Sequence, residues 1–225
     1  MMKQINNILF VLMACVSLPL LTACEKEKEA PRIDSVWMNM VSRPVEQVSC
    51  AYPGQTICLR GENLGDLKRV IVNHIDINLN TLYVYESSTS ITFQLPADVN
   101  TDGDNIRVVT KWGMADHAFI IRPLAEKPAV TVFSATTLVA GRTLTITGEN
   151  LDGAKEVWLP LAFDGRVQCE IDASQPADAT SVSVIIPDGV TFAKGQCEIV
   201  MEKTDATRGI TYTEKVYSSS TDFRN

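Results

Sequence analysis

Two copies of one short block decide the fold of this chain. Residues 54–64 read GQTICLRGENL and residues 141–151 read GRTLTITGENL, so the second copy follows the first by 87 positions. A further pair of blocks, TSITFQLP at 89–96 and TSVSVIIP at 180–187, is separated by 91 positions. Repetition of this kind is typical of a structural unit that occurs twice. The chain therefore contains a duplicated module, with four residues gained between the two blocks of the second copy.

Length and composition agree with two small domains. The chain has 225 residues, of which 45% are hydrophobic and 21% are charged, as in ordinary folded soluble proteins. Two domains of about a hundred residues each are more usual at this length than one large core. We place the domains at residues 31–124 and 125–225, joined at residues 123–128.

Apolar and polar residues alternate along both copies. Ile57 and Leu59 in the first copy, and Leu144 and Ile146 in the second, are flanked by polar residues. This period of two puts the apolar side chains on one face of a strand, and no stretch of comparable length shows helical spacing. The pattern predicts an all-β fold with about seven short strands in each copy, arranged as two tandem immunoglobulin-like β-sandwich domains.

The Gly-Glu-Asn-Leu ends of the two blocks predict a structural corner. At Gly61 and Gly148 we expect a strand end where a side chain would hinder a left-handed or bulged turn. The asparagine that follows should hydrogen-bond its own backbone, and Leu64 or Leu151 should pack beneath the corner. A phosphate-binding loop would need more glycines, a Lys-Ser/Thr pair and a following helix, which these blocks lack.

The order of these blocks resembles the IPT/TIG family of immunoglobulin-like domains. The resemblance runs over nearly all of residues 31–225 and is strongest at the duplicated Gly-x-Thr-x-x-x-x-Gly-Glu-Asn-Leu sequence. In lipoproteins, such tandem domains look like the stalks of surface glycan-binding proteins from outer-membrane polysaccharide uptake systems. The resemblance implies a non-catalytic protein without a cofactor, which binds a polysaccharide or serves as an accessory spacer.

The N-terminal segment predicts export. Lys3 precedes an unbroken apolar run at residues 8–16, which is too short and too close to Pro19 to be a spanning helix. The N-terminal segment ends in Leu-Thr-Ala-Cys at residues 21–24, which resembles a bacterial lipobox. Residues 1–23 are therefore expected to be a signal peptide, and Cys24 is expected to be lipidated and to anchor the protein in a membrane.

A charged tether follows the expected anchor. Residues 24–30 contain the sequence Glu-Lys-Glu-Lys-Glu after Cys24, and such a segment cannot bury apolar surface. An acidic run at this position resembles the surface-export signal of Bacteroidetes lipoproteins, so we expect the protein in the outer membrane, exposed at the cell surface. The alternative is the periplasmic face.

The chain carries a net charge of −7, which disfavours a nucleic-acid partner because its phosphates would be repelled.

Catalytic and metal-binding patterns are sparse. His74 and His117 stand alone, and no Gly-x-Ser-x-Gly or His-Glu-x-x-His sequence occurs, so we expect no enzyme. One string matches the first half of a calcium loop, but its twelfth position would be Val109 in place of a bidentate Glu. A strand-connecting turn is the favoured interpretation of this string, whose acidic and amide residues are Asp98, Asn100, Asp102 and Asp104.

Four cysteines remain after the signal peptide and the lipidated residue are set aside. In an exported protein they could pair as Cys50 with Cys58 and as Cys169 with Cys197. Four reduced cysteines that pack as small apolar residues are the alternative. The absence of a close Cys-x-x-Cys pair argues against zinc.

Aromatic residues offer the most plausible ligand platform, because flat rings cover the apolar faces of sugars. The candidates are Trp158 on an outward strand face, Trp112 at an expected hairpin tip, and Tyr83 and Tyr85 on one strand face. Packing against a neighbouring loop or domain is the alternative for each ring.

A second hypothesis for the whole chain is an adhesion or protein-interaction module that docks to an outer-membrane partner through sheet edges or loops.

Overall fold

The computed structural model describes four stretches of the chain: residues 29–38, 46–79, 85–163 and 165–225. No helix within these stretches is long and apolar enough to cross a membrane. We call residues 29–122 the N-terminal half and residues 128–225 the C-terminal half.

Short strands make up the N-terminal half. They are β1 (Arg32–Met38), β2 (Glu46–Gln47), β3 (Cys50–Ala51), β4 (Thr56–Glu62), β5 (Leu67–Val72), β6 (Ile75–Asp76), β7 (Tyr85–Glu86), β8 (Ser90–Gln94), β9 (Asn105–Thr110), β10 (Gly113–Ala118) and β11 (Ile120–Ile121). One sheet has the order β2-β1-β4-β8-β7 and a second has the order β10-β9-β5-β6, while β11 pairs with β3 in parallel. The two larger sheets have the strand order of an immunoglobulin-type sandwich.

The C-terminal half follows a short 3-10 turn at Leu124–Glu126. Its strands are β12 (Ala129–Phe133), β13 (Thr143–Glu149), β14 (Ala154–Pro160), β15 (Arg166–Ile171), β16 (Ser181–Ile185), β17 (Lys194–Gly195), β18 (Glu198–Asp205), β19 (Ile210–Tyr217) and β20 (Thr221–Asp222). The main sheet has the order β12-β13-β16-β15-β14-β18-β19. It is continuous because β15 pairs with β14 along its first part and with β16 at its end, so one strand joins both layers.

Each half has its own apolar cluster. The alternating residues that the sequence assigned to core faces are buried: Ile57 and Leu59 are fully buried in one cluster, and Leu144 and Ile146 in the other. The first cluster draws its residues from positions 33–121 and the second from positions 138–223. The prediction of an all-β immunoglobulin-like fold is confirmed.

The two Gly-Glu-Asn-Leu corners show why glycine is needed there. A Cβ at Gly61 would lie 1.9 Å from the carbonyl oxygen of Arg32, and one at Gly148 would lie 2.0 Å from that of Ala129. At both places the register with the preceding strand shifts, as at a β-bulge. The bulged corner that the sequence predicted is present, and the glycine permits close approach of a neighbouring backbone.

The asparagines of the corners behave differently from the prediction. Asn63 and Asn150 adopt the left-handed conformation, with φ of 55° and 53°. The Asn150 amide donates to the carbonyl oxygens of Ala125 and Lys127, at 2.9 and 3.1 Å. The expected bond from asparagine to its own backbone is therefore wrong, because the side chain reaches the segment that enters the domain. The leucines that follow both asparagines are fully buried, as predicted.

Candidate functional site

The two predicted tryptophans lie on different elements of the structure. Trp158 lies half-buried on the outer face of β14, where its indole N–H donates to Glu156 at 2.9 Å. Trp112 lies at the tip of the β9–β10 hairpin, and its indole N–H donates to Asp66 at 2.9 Å. The two rings belong to different halves of the chain, and their role as ligand contacts remains a prediction.

Other predicted positions fall outside what the structure describes. Tyr83 lies outside the described residues, and of Tyr85 only the backbone is described, which pairs with Thr92. The predicted signal peptide and the lipidated Cys24 also lie outside them. Their roles remain predictions.

The calcium-like string lies between β8 and β9. The Asn100 side-chain oxygen accepts the backbone N–H of Asp102 at 2.9 Å, and the Asn100 carbonyl oxygen accepts the Asn73 amide at 2.7 Å. These bonds hold the turn that was the favoured interpretation. Over the described part of the chain, no three His, Cys, Asp or Glu side chains are grouped so as to hold a metal ion.

The four cysteines are free thiols, so neither candidate disulfide is present. Cys169 on β15 and Cys197 beside β18 are separated by β14, and two strand spacings amount to about 9 Å, beyond the reach of a disulfide. Burial raises the pKa of Cys169 to about 11 and that of Cys197 to about 12. Cys50 is buried in β3, and Cys58 is half-buried on β4.

The contact between the two halves forms a third apolar cluster. Cys50 and Ile120 from the N-terminal half pack with Tyr212 of β19, and Ile210 lies against them. We call this contact, together with the polar groups around it, the junction. The β18–β19 hairpin supplies most of its residues from the C-terminal half.

Buried ion pairs surround this cluster. Arg122, at the end of the N-terminal half, donates to the Asp205 carboxylate at 2.8 Å, and Arg208 donates to the same oxygen at 2.6 Å. Burial by itself would raise the pKa of Asp205, but hydrogen bonds from the side chain and backbone of Arg208 and from the Thr207 N–H outweigh it and lower the pKa. Arg122 also pairs with Glu126. The Asp205 carboxylate thus stays charged and holds the two halves together.

Hydrogen bonds from hydroxyl groups to carboxylates and to a backbone carbonyl cross the junction as well. The Tyr52 hydroxyl donates to Glu214 at 2.9 Å, and the Tyr217 hydroxyl donates to Glu46 at 2.9 Å. The Ser49 hydroxyl donates to a β19 carbonyl oxygen at 2.8 Å. Burial and the nearby Glu214 carboxylate raise the pKa of Tyr52, which keeps its hydroxyl protonated as a donor. Contacts on several sides of the hairpin therefore fix one half against the other.

A cleft of about 460 Å³ opens at this junction. Its lining combines the N-terminal half with β19, and it brings polar side chains next to apolar ones. The lining residues include Met38, Glu46, Gln55, Lys127, Tyr212 and Glu214. Neither Trp112 nor Trp158, the two predicted ligand contacts whose side chains the structure describes, lines this cleft.

The junction tyrosines and one tryptophan were not predicted from the sequence as candidate site residues. Tyr52, Tyr212 and Tyr217 are buried by contacts between residues far apart in the chain, which no local pattern reveals. The Arg60 guanidinium lies over the Trp37 ring on the outer face of the first sheet, with its Cζ 4.1 Å from the ring centroid. The outward position of this ring could not be predicted from the local sequence, because Val36, Trp37 and Met38 form an apolar run without apolar–polar alternation.

Comparison with solved structures gives distant likenesses. SGBP-B from a complex xyloglucan utilization locus in Bacteroides uniformis is 16% identical, with a TM-score of 0.34, covering 86% of this chain and 49% of that chain. The surface glycan-binding protein PbSGBP-B from Prevotella bryantii is 16% identical, with a TM-score of 0.35, covering 83% of this chain and 41% of that chain. This chain therefore spans less than half of either of these proteins.

No protein-family model matches the chain. A curated IPT/TIG domain-containing protein from Bacteroides ovatus (strain ATCC 8483) is 29% identical over 138 residues, which cover 58% of this chain and 26% of the relative. The chain thus spans about a quarter of that relative's length. With its bulged corners and its sandwich topology, the chain is similar to an IPT/TIG domain-containing protein of Bacteroides.

Proposed function

We propose that this protein is a non-catalytic lipoprotein of the outer membrane, exposed at the cell surface, which binds glycan or acts as an accessory spacer in a polysaccharide uptake system. In this proposal, residues 31–124 and 125–225 are tandem domains, and Cys24 carries the lipid. The charged tether after Cys24 separates the folded part from the membrane.

The observation that carries the proposal is the fixed junction. Arg122 is 15% exposed and Asp205 is 5% exposed in the ion pair that joins the halves. Ion pairs and hydrogen bonds of this kind resist bending more than a flexible linker would, since each must be broken for the halves to separate. Two sandwiches joined in a fixed arrangement suit a protein that holds a binding surface at a set distance from a membrane.

Native gel electrophoresis in gels that contain polysaccharide tests the glycan-binding role. The full chain, purified in detergent, should be retarded by at least one member of a broad panel of plant and microbial polysaccharides. Trp158→Ala tests whether the outer face of β14 contributes to the retardation. Unchanged mobility across the whole panel would contradict glycan binding.

Placement at the cell surface needs separate tests. Metabolic labelling with a palmitate analogue should label the wild-type protein and leave Cys24→Ala unlabelled. Protease treatment of intact cells should remove the protein if it faces outward. Survival of the protein under conditions that digest a known surface marker would favour the periplasmic face instead.

Docking to a protein partner is the second candidate function. Phe163, in the turn between β14 and β15, is 89% exposed, which is unusual for so large an apolar side chain. A partner that covers this ring would account for the exposure. Cross-linking in intact outer membranes should then yield one stoichiometric partner, and Phe163→Ser should abolish the cross-link.

A further inference from the structure

We propose that the cleft at the junction binds a short, neutral oligosaccharide. This inference rests on the proposed function and gives it a site, because it moves glycan recognition from the scattered tryptophans to the contact between the halves.

The size of the cleft suits such a ligand. Small-molecule sites usually enclose about 300–1,000 Å³, and the cleft encloses about 460 Å³. A second cleft, of about 270 Å³, shares Gln47, Val48 and Ser49 and two β19 residues with the first. Together they follow both sides of the segment between β2 and β3, which suits an extended chain of sugars.

Apolar side chains line part of the cleft. Met38 is 5% exposed and Tyr212 is 5% exposed, and both contribute to its wall. The C–H faces of a sugar ring are apolar and pack against such surfaces, while hydroxyl groups at the ring edge need polar partners. A purely polar ligand, such as an inorganic anion, would leave this wall uncovered.

Two hydrogen-bond donors in the cleft have no acceptor among the residues that the structure describes. Gln55 is 6% exposed, and its side-chain oxygen accepts the Tyr52 N–H at 2.9 Å, but no described residue accepts a bond from its amide nitrogen. Lys127 is half-buried and forms no ion pair with a described carboxylate. The Gln55 amide nitrogen is open to the solvent of the cleft, since among the described residues only Arg122 Nε is both fully buried and without a hydrogen-bond partner. A ligand hydroxyl can accept the hydrogen bond that this nitrogen otherwise makes to water.

The charges of the cleft favour a neutral ligand. Glu46, Glu214, Lys127 and Lys215 all line the cleft, so its formal charges balance. Glu46 already accepts a hydrogen bond from the Tyr217 hydroxyl and forms an ion pair with Lys215, which holds its carboxylate in place. With balanced charges the cleft offers an anionic sugar no net attraction, whereas neutral hydroxyls can bond to both kinds of group.

Two substitutions test the site without emptying the core. Gln55→Glu keeps an oxygen to accept the Tyr52 N–H and replaces the unpaired amide donor by an acceptor. Lys127→Ala removes the second donor at a half-buried position. Gln168→Glu, on the exposed outer face of β15, and Lys155→Ala, on exposed β14, make the same chemical changes outside the cleft.

Isothermal titration calorimetry with the full chain in detergent gives the readout. The probes are neutral gluco-, manno- and xylo-oligosaccharides of two to six residues, with an oligogalacturonide as the charged probe. We expect at least one neutral probe to bind, and each cleft variant to weaken it about tenfold, as the loss of one hydrogen bond does. The control variants should bind like the wild type. Backbone amide NMR signals of residues 211–215 should shift when the probe is added.

The outcomes separate this inference from the proposed function. Binding that is unchanged in both cleft variants, or lost in Gln168→Glu, overturns the cleft and leaves glycan binding standing. Preference for the oligogalacturonide overturns the neutral ligand. A wild type that binds no oligosaccharide and is not retarded by any polysaccharide overturns both. If Gln55→Glu fails to fold, as judged by circular dichroism, Lys127→Ala decides between the outcomes.

Discussion

Replacement of Asp205 by alanine should strongly destabilise the contact between the halves. The carboxylate accepts hydrogen bonds from two guanidinium groups, those of Arg122 and Arg208, and from the backbone N–H groups of Thr207 and Arg208. The side chains of Asp205, Arg122 and Arg208 are 5%, 15% and 17% exposed. Asp205→Ala would thus leave two largely buried cations without their shared anion.

The magnitude follows from that geometry. Removing one partner of a buried ion pair costs about 3–5 kcal/mol of the free energy of unfolding. We expect a value near the lower end, about 3 kcal/mol, since Arg122 keeps Glu126 as a partner and Arg208 still donates to the Thr101 carbonyl oxygen. The loss should appear in the unfolding of both halves, because the bonds join them.

Urea unfolding of the full chain in detergent, followed by far-ultraviolet circular dichroism, measures this loss. Asp76→Ala is the matched control, because it breaks the ion pair between Arg69 and Asp76, whose side chains are 56% and 52% exposed. The control should cost less than about 1 kcal/mol, as exposed pairs do. If Asp205→Ala costs no more than Asp76→Ala, the junction does not hold the halves together in the way argued above.

Three further predictions concern the corner, the pH and the thiols. Gly61→Ala should lower the free energy of unfolding by about 3 kcal/mol or more in the same urea assay, because the added Cβ would overlap a backbone carbonyl. Gly65→Ala is the control and should be tolerated, because the atom nearest to its added Cβ lies 3.7 Å away. The wild type should be more stable than Asp205→Asn, because the folded state lowers the pKa of Asp205. This difference in the free energy of unfolding should be complete above the unfolded-state pKa of about 3.9 and should disappear as the pH falls through the lowered folded-state pKa. Equal differences at pH 7 and pH 2 would contradict this. At pH 8, mass-spectrometric peptide mapping of maleimide labelling should find Cys58 modified before Cys197, whose buried thiol has a pKa of about 12; equal rates in the native protein would contradict the described burial.

Much of the fold could be predicted because it depends on local patterns. The alternation around Ile57 and Leu59 indicates which strand face is buried, and the structure places both side chains in a core. The corner at Gly61 could be anticipated from the repeat, because a residue without a side chain at the end of a strand has few structural explanations. The hydrogen-bond partners of Asn150 could not, since they lie in a segment that only the fold brings near.

The candidate site was much less accessible to prediction. Trp112 and Trp158 were sensible candidates by residue type, but a binding surface requires rings that converge, and convergence is a property of strand packing. Gln55 carries no signal in the sequence that would distinguish it from an ordinary strand residue. It becomes a candidate only because folding buries it and leaves its amide nitrogen without a partner in the described part of the chain.

The sequence by itself determined the all-β class, the duplication and the faces of the strands, because these follow from side-chain periodicity and backbone conformational preference. The tertiary structure alone decided how the halves meet. Arg122 and Asp205 are 83 residues apart, and the cleft lies between strands from opposite ends of the chain. Electrostatic and hydrogen-bonding partners at such separations are selected by packing in three dimensions, which leaves no regular spacing in the sequence.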